Sequence, residues 1–245
     1  MKGTFAGIVC LLAGLGPPQT GQDVVRAMHD RYAGSWYHTL SFLQQNTAYF
    51  PGDSVEHSTW FERAKIPGGL RIDFRGGAKS PPGDGVVFTR DSLFVMQSDT
   101  VARAIPFVHP LMVLGFDVYG QPVDRTVQQL MGLGFDLAVM HEDTWQGRPV
   151  YVIGAPAGDL RTRQFWVDKE RLLFVRMLEP SPRDTARVAE TQFNQYRQHG
   201  GGWVAEAVLF LLDGQRTWLE QYSDVRVQVP LPDGVFDVQR WKATQ

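Results

Sequence analysis

Residues 60–74 read Trp60-Phe61-Glu62-Arg63-Ala64-Lys65-Ile66-Pro67-Gly68-Gly69-Leu70-Arg71-Ile72-Asp73-Phe74. In the second arm Leu70, Ile72 and Phe74 alternate with Arg71, Asp73 and, one residue on, Arg75. Successive side chains of a strand point to opposite faces, so this rhythm describes a strand with one apolar and one wet face. Pro67-Gly68-Gly69 cannot continue a strand and separates this arm from a first one, Val55–Ile66. What covers the apolar face, the protein's own core or a ligand, is the question the stretch raises.

The same rhythm continues on either side. Strands are expected at 40–50, 86–89, 92–97 and 101–105, then at 135–141, 149–154, 163–167 and 172–179, and finally at 188–197, 202–212 and 217–229. Turn signals stand between them, with Pro51-Gly52-Asp53 and Asp213-Gly214 the clearest. Gly76–Gly85 is rich in Gly and Pro and reads as a loop. Short turns join neighbouring strands antiparallel.

Helical spacing interrupts the strands twice. Thr20 is placed to cap a helix with Asp23 three residues on, and Val24, Met28, Tyr32 and Trp36 then recur on one face. Pro122 opens a second helix whose expected stripe is Val123, Val127, Leu130 and Met131, with Gly132 and Gly134 to end it. Pro106–Tyr119 is apolar without alternation. These elements predict an α+β fold in which a large antiparallel sheet curls and the helices lay their stripes on its concave face.

Composition narrows the function. Hydrophobic residues make up 43% of the 245-residue chain, enough for a sizeable core. Basic and acidic residues nearly cancel, 24 against 26, without the basic excess that neutralises phosphates, so no nucleic-acid partner is expected. Met1-Lys2, the apolar run Phe5–Leu15 and the small or polar residues Gly16-Pro17-Pro18-Gln19-Thr20-Gly21 read as a cleaved secretory signal. Residues 1–21 are assigned to it, with the cleavage point approximate, and residues 22–245 to one domain. Cys10, the one cysteine, falls inside that signal, and lipidation there is not expected because the preceding apolar run is short. No later segment has the length of a membrane span. An exported, periplasmic protein without an integral membrane segment follows.

No spacing demands catalysis. Nucleotide-binding glycine loops, a nucleophile elbow and a zinc-protease helix are all missing from the sequence. His141-Glu142-Asp143 reads as a solvated strand end, and the scattered histidines do not make a metal site. His109 beside Pro110 is either a buried core histidine or a site residue. Neither an enzyme, a cofactor nor a bound metal is expected. Aromatic residues on strands, among them Trp60, Phe61, Phe74, Phe88, Phe165 and Trp166, suit a different role. A curved sheet with few helices leaves part of its inner face as an apolar cavity, better fitted to an acyl chain than to a polar metabolite.

Several stretches in order resemble the LolA/LolB-like family of outer-membrane lipoprotein carriers. Trp60–Pro67 is similar to that family's strand ending in Lys-x-Pro, and Leu70–Asp73 to the strand after it. Thr89–Val95 resembles its hairpin strand, and Gln164–Asp168 with Leu172–Arg176 its late hairpin. Tyr222–Val227 followed by Pro230–Phe236 is similar to its closing strand and tail. The resemblance implies an incomplete, strongly curved antiparallel β-barrel (a half-barrel) with helices covering the concave face. It implies a lipid or a lipoprotein acyl chain as ligand and a membrane-anchored donor or receptor protein as partner. The alternating residues Leu70, Ile72, Phe74, Phe165, Val167, Val225 and Val227 are the expected cavity-facing lipid-binding residues. Related folds also serve as envelope sensors or scaffolds that bind a regulator's periplasmic segment, the first alternative function for this chain; a secreted enzyme of unrecognised type is the second and less favoured one. One position departs from the family: the carrier's latch arginine precedes the strand-ending proline, where this chain has Ile66.

Overall fold

A computed structural model describes residues 17–77, 81 and 83–244. Residues 1–16, which hold most of the expected signal and Cys10, lie outside the described residues. Helix α1 (Gly21–Tyr32) comes first, then strands β1 (Thr39–Tyr49), β2 (Val55–Lys65), β3 (Gly69–Gly76), β4 (Gly85–Phe88), β5 (Ser92–Gln97) and β6 (Thr100–Pro106). A helical insert follows, made of α2 (Pro110–Gly115), a 3-10 turn (Asp117–Tyr119) and α3 (Val123–Gly132). The chain then returns to strands β7 (Met140–Trp145), β8 (Arg148–Ile153), β9 (Gln164–Asp168), β10 (Phe174–Ser181), β11 (Asp184–His199), β12 (Gly202–Leu212) and β13 (Gln215–Val227).

The described strands form one 13-stranded sheet in the order β6-β5-β4-β3-β2-β1-β13-β12-β11-β10-β9-β8-β7. Every neighbour but one is consecutive in sequence. The exception is the antiparallel pairing of β1 with β13, which joins two meanders. The edges β6 and β7 do not pair, so the sheet is an open, curved half-barrel. The helical insert is the connection between those two edges. A chain that leaves one rim and must reach the other crosses the mouth, which puts α2 and α3 over the concave face beside α1.

That placement makes the core. Val24, Val25 and Met28 of α1 and Leu114 and Leu130 of the insert are buried in one cluster with sheet residues Leu40, Phe165 and Phe174. The expected cap on α1 is present: the Asp23 N–H donates to the Thr20 hydroxyl at 3.2 Å, and the Thr20 N–H donates to the Asp23 carboxylate at 3.0 Å. The Trp36 ring stacks on Tyr119 with centroids 4.0 Å apart, fastening the end of α1 to the 3-10 turn.

Four expectations change. Residues 135–139 are not strand: Phe135 and Leu137 enter the core as irregular backbone, and β7 begins only at Met140. His141, Glu142 and Asp143 therefore lie within β7 rather than at its end, on a largely exposed edge. Leu172 has φ 54°, so β10 starts two residues late, at Phe174. On α3, Met131 is 58% exposed, while Thr126 and Gln129 are buried because the Gln121 side-chain amide donates to both.

The fourth concerns the opening stretch. The polar face of its second arm is dry at Arg71 and Asp73 and wet only at Arg75. Arg71 and Asp73 are buried on the convex side under the C-terminal tail. The Arg71 guanidinium pairs with Asp73 at 2.7 Å and stacks on Trp241 at 3.8 Å. It also donates to the Trp241 and Val235 carbonyls at 3.0 and 3.1 Å and to the Thr244 hydroxyl at 2.6 Å. A buried ion pair needs its remaining hydrogen-bonding groups satisfied, and the tail supplies them.

Candidate functional site: a cavity under helix α2

Between the concave face and α2 lies a cavity of about 150 Å³. Its walls come from β1 (Leu40, Phe42), β2 (Ala64), β3 (Leu70, Ile72), β12 (Val208, Phe210) and, from the insert, Leu111, Met112 and Phe116. Period-two alternation puts these strand residues on the inner face, and the pairings Ile72 opposite Glu62 and Leu70 opposite Ala64 set them in rows. A groove of about 370 Å³ shares His109, Leu111 and Phe210 with the cavity and continues past Pro110 toward Met177, Thr191 and Leu212. Cavity and groove thus share a wall; the groove is mostly apolar, but Glu179, Arg183 and Glu190 line it as well. A volume near 150 Å³ alone holds only a benzene-sized group, whereas ligand sites generally exceed about 300 Å³.

The cavity is not apolar throughout. Glu62, Glu220, Gln44, Tyr222, Trp60 and His109 also line it. Glu220 accepts from the Tyr222 hydroxyl at 2.8 Å and from the Trp218 indole N–H at 3.2 Å. Beside it the Gln44 amide donates to Asn46 at 2.7 Å. Burial pushes the Glu220 carboxyl up to about 7, against these hydrogen bonds, which favour its ionised form. Glu62 is 5% exposed, and no hydrogen bond to its carboxyl is found among the described residues. Burial first, and the nearby Glu220 second, raise its pKa well above the usual carboxylate range. The His109 ring packs edge-on against Phe88 at 4.7 Å, and burial lowers its pKa to about 4, so it is neutral at pH 7. His109 Nδ1 and Trp60 Nε1 are buried without a hydrogen-bond partner.

The residues expected to face a cavity separate into three groups. Leu70 and Ile72 line it. Phe74 stands just behind, stacked on Trp60 at 4.9 Å. Phe165 and Val167 are fully buried under the helices, and Val225 and Val227 pack at the margin of the same core; none of these four reaches the cavity. Alternation identified the right face but not which part of it the helices fill. Glu62, Glu220, Gln44 and Tyr222 went unrecognised as cavity residues. The available signal was a glutamate at an inward position of the opening stretch, between the inward Trp60 and Ala64.

Ile66, at the latch position, is 3% exposed and lies in the main core, with Gly120 of the insert close to it. The link between the insert and the β2–β3 turn is made instead by Asp117, whose carboxylate accepts from the Gly68 N–H at 2.9 Å. Burial raises Asp117 to about 7, against that hydrogen bond and the nearby Arg90.

Comparison with solved structures follows this geometry. A LolA superfamily protein from Nitrosomonas europaea superposes with a TM-score of 0.56 over 89% of this chain and 97% of its own, at 12% identity. The fold is LolA-like. A lipoprotein-sorting protein domain from Vibrio parahaemolyticus shares this LolA-like fold, with a TM-score of 0.58 over 91% of this chain and 98% of its own, at 14% identity. So does a DUF1329 family protein from Desulfovibrio piger, with a TM-score of 0.60 over 92% and 98% at 16% identity. No family model matches the sequence, and no curated protein does. Among the described residues no helix of this LolA-like chain is long and apolar enough to cross a membrane.

Proposed function

We propose that the protein is an exported, periplasmic carrier or binding protein for a lipid or lipoprotein acyl chain, held between the curved sheet and the helical insert. The cavity of about 150 Å³ under α2, running on into the groove past Leu111, is the observation that carries this reading. Burying a chain there gains about 0.8 kcal/mol per CH₂. Release to a membrane-anchored receptor requires that α2 move aside. The insert is suited to that, because it is joined to the sheet at both ends but forms no part of the strand ladder. The LolA-like fold of the two lipoprotein-sorting and LolA superfamily structures supports the same ligand class. A non-enzymatic role is proposed with it.

The test is native mass spectrometry and solvent extraction of protein purified from the periplasm, with titration of the neutral apolar probe diphenylhexatriene. A co-purified amphiphile, and probe binding abolished by Val208→Trp in a folded variant, are expected. Protein that carries no amphiphile and fails to bind the probe overturns the reading.

A further inference from the structure

We infer that the cavity selects an amphiphile bearing a protonated amine, seated between Glu62 and Glu220 with its chain along Leu111 into the groove. This rests on the lipid-carrier reading above and assigns the chemistry of the ligand's polar end.

Two carboxyls face one cavity, and among the described residues no lysine or arginine lines it. Two other buried acids in this protein are answered by cations, Asp73 by Arg63 and Arg71 and Asp168 by Arg148, and the buried Asp117 accepts from the Gly68 N–H. The cavity pair has no such cation among the described residues. Glu62 is 5% exposed and has no hydrogen-bond partner among the described residues, although burying such a group without one is costly. Unmet acceptors facing a cavity define what its occupant must supply, which is hydrogen-bond donors and positive charge. An ammonium has three donors and supplies both. The rings of Phe42, Trp60 and Tyr222 line the same space, and ring faces attract a cation. His109, neutral and with Nδ1 unpartnered, can accept a further N–H.

The alternatives fit less well. A carboxylate or phosphate head would meet the partly ionised Glu220, with no lysine or arginine among the described lining residues to answer it. A hydroxyl head could hydrogen-bond but would leave the charge requirement unmet. Burial and the nearby Glu220 raise Glu62 well above the usual carboxylate range, and burial raises Glu220 to about 7, so at neutral pH the empty cavity carries the charge of a partly ionised Glu220. An entering ammonium favours the ionised form further: a glutamic acid gives its proton to the buffer and the resulting carboxylate pairs with the cation. Binding should therefore release a proton.

The experiment is isothermal titration calorimetry of the full mature protein with dodecylamine, 1-dodecanol and dodecanoate, each below its aggregation concentration, at pH 7 in two buffers of different ionisation enthalpy. Dodecylamine should bind at least about tenfold more tightly than dodecanol. Its apparent enthalpy should depend on the buffer in the sense of proton release, and dodecanoate should bind most weakly. Glu62→Gln and Glu220→Gln, made singly and checked for folding by circular dichroism, should remove the preference for amine while retaining dodecanol. If dodecanol or dodecanoate binds as well as the amine to the unmodified protein, this inference falls and the carrier reading stands. The same holds if the amine preference survives both substitutions. If none of the three binds while diphenylhexatriene does, the inference falls and the carrier reading stands; if the probe fails as well and no amphiphile co-purifies, both fall.

Discussion

Replacing Glu220 with Gln should change how the protein's stability depends on pH. In the folded protein this carboxyl holds its proton up to about pH 7, whereas an unfolded chain releases it near 4.5. Between those values the folded state binds more protons than the unfolded state, so stability falls as pH rises. Integrated from pH 5 to pH 8, the shift amounts to roughly 2 to 3 kcal/mol lost on this residue's account. Glutamine keeps an acceptor for the Tyr222 hydroxyl and Trp218 N–H and cannot ionise. The wild type alone does not isolate the effect. Asp117, also raised to about 7, acts in the same direction, while His109, lowered to about 4, makes stability rise with pH from about 4 to 6.5. Those contributions are common to both proteins and cancel in the comparison. Urea unfolding of wild type and Glu220→Gln at pH 5 and pH 8 is the assay. The variant should gain roughly 2 to 3 kcal/mol on wild type between pH 5 and pH 8, somewhat more if Glu62 relaxes once its neighbour cannot ionise. Parallel pH profiles would show that Glu220 is solvated and ionised in the folded state, and the cavity would then not be the low-dielectric site described.

Asp117→Ala removes the acceptor for the Gly68 N–H and should cost about 1 to 3 kcal/mol in chemical unfolding; Asp117→Asn, which keeps an acceptor, should cost less. Arg71→Ala leaves Asp73 short of a partner and strips Trp241 of its stacked cation. A loss of about 3 to 5 kcal/mol is expected, read by the same unfolding assay, with unchanged stability counting against a structural role for the C-terminal tail. Ile66→Ala should destabilise by about 2 to 4 kcal/mol, since Ile66 lies in the core against the insert. Intact-mass measurement of exported protein should find a mature N-terminus upstream of Thr20, because a cut at residue 21 would remove the cap whose hydroxyl accepts from Asp23. A mature chain beginning at Gln22 would show that α1 is stable without it.

Local pattern by itself determined the elements and their class. Period-two runs and turn residues located every strand but β7 to within a few residues, because face alternation and turn chemistry are short-range properties. The Thr20–Asp23 cap was equally local. Errors came where distant parts of the chain meet. Arg71 and Asp73 looked like a wet face, because nothing near them in sequence announces that Trp241 and Thr244 will cover them from about 170 residues away. Phe135 and Leu137 looked like strand, because apolar alternation does not reveal whether a neighbouring strand is there to pair.

Where the cavity lies was decided by the tertiary structure. Alternation could place Ile72 and Val167 on the same concave face. Only the path of the insert, from β6 across to β7, decided that helices bury Val167 and leave open space over Ile72. Glu62 and Glu220 stand more than 150 residues apart in the chain and face one cavity because β1 lies between β2 and β13 in the sheet. Strand pairing, a long-range choice that no local pattern encodes, turned two ordinary glutamates into one site.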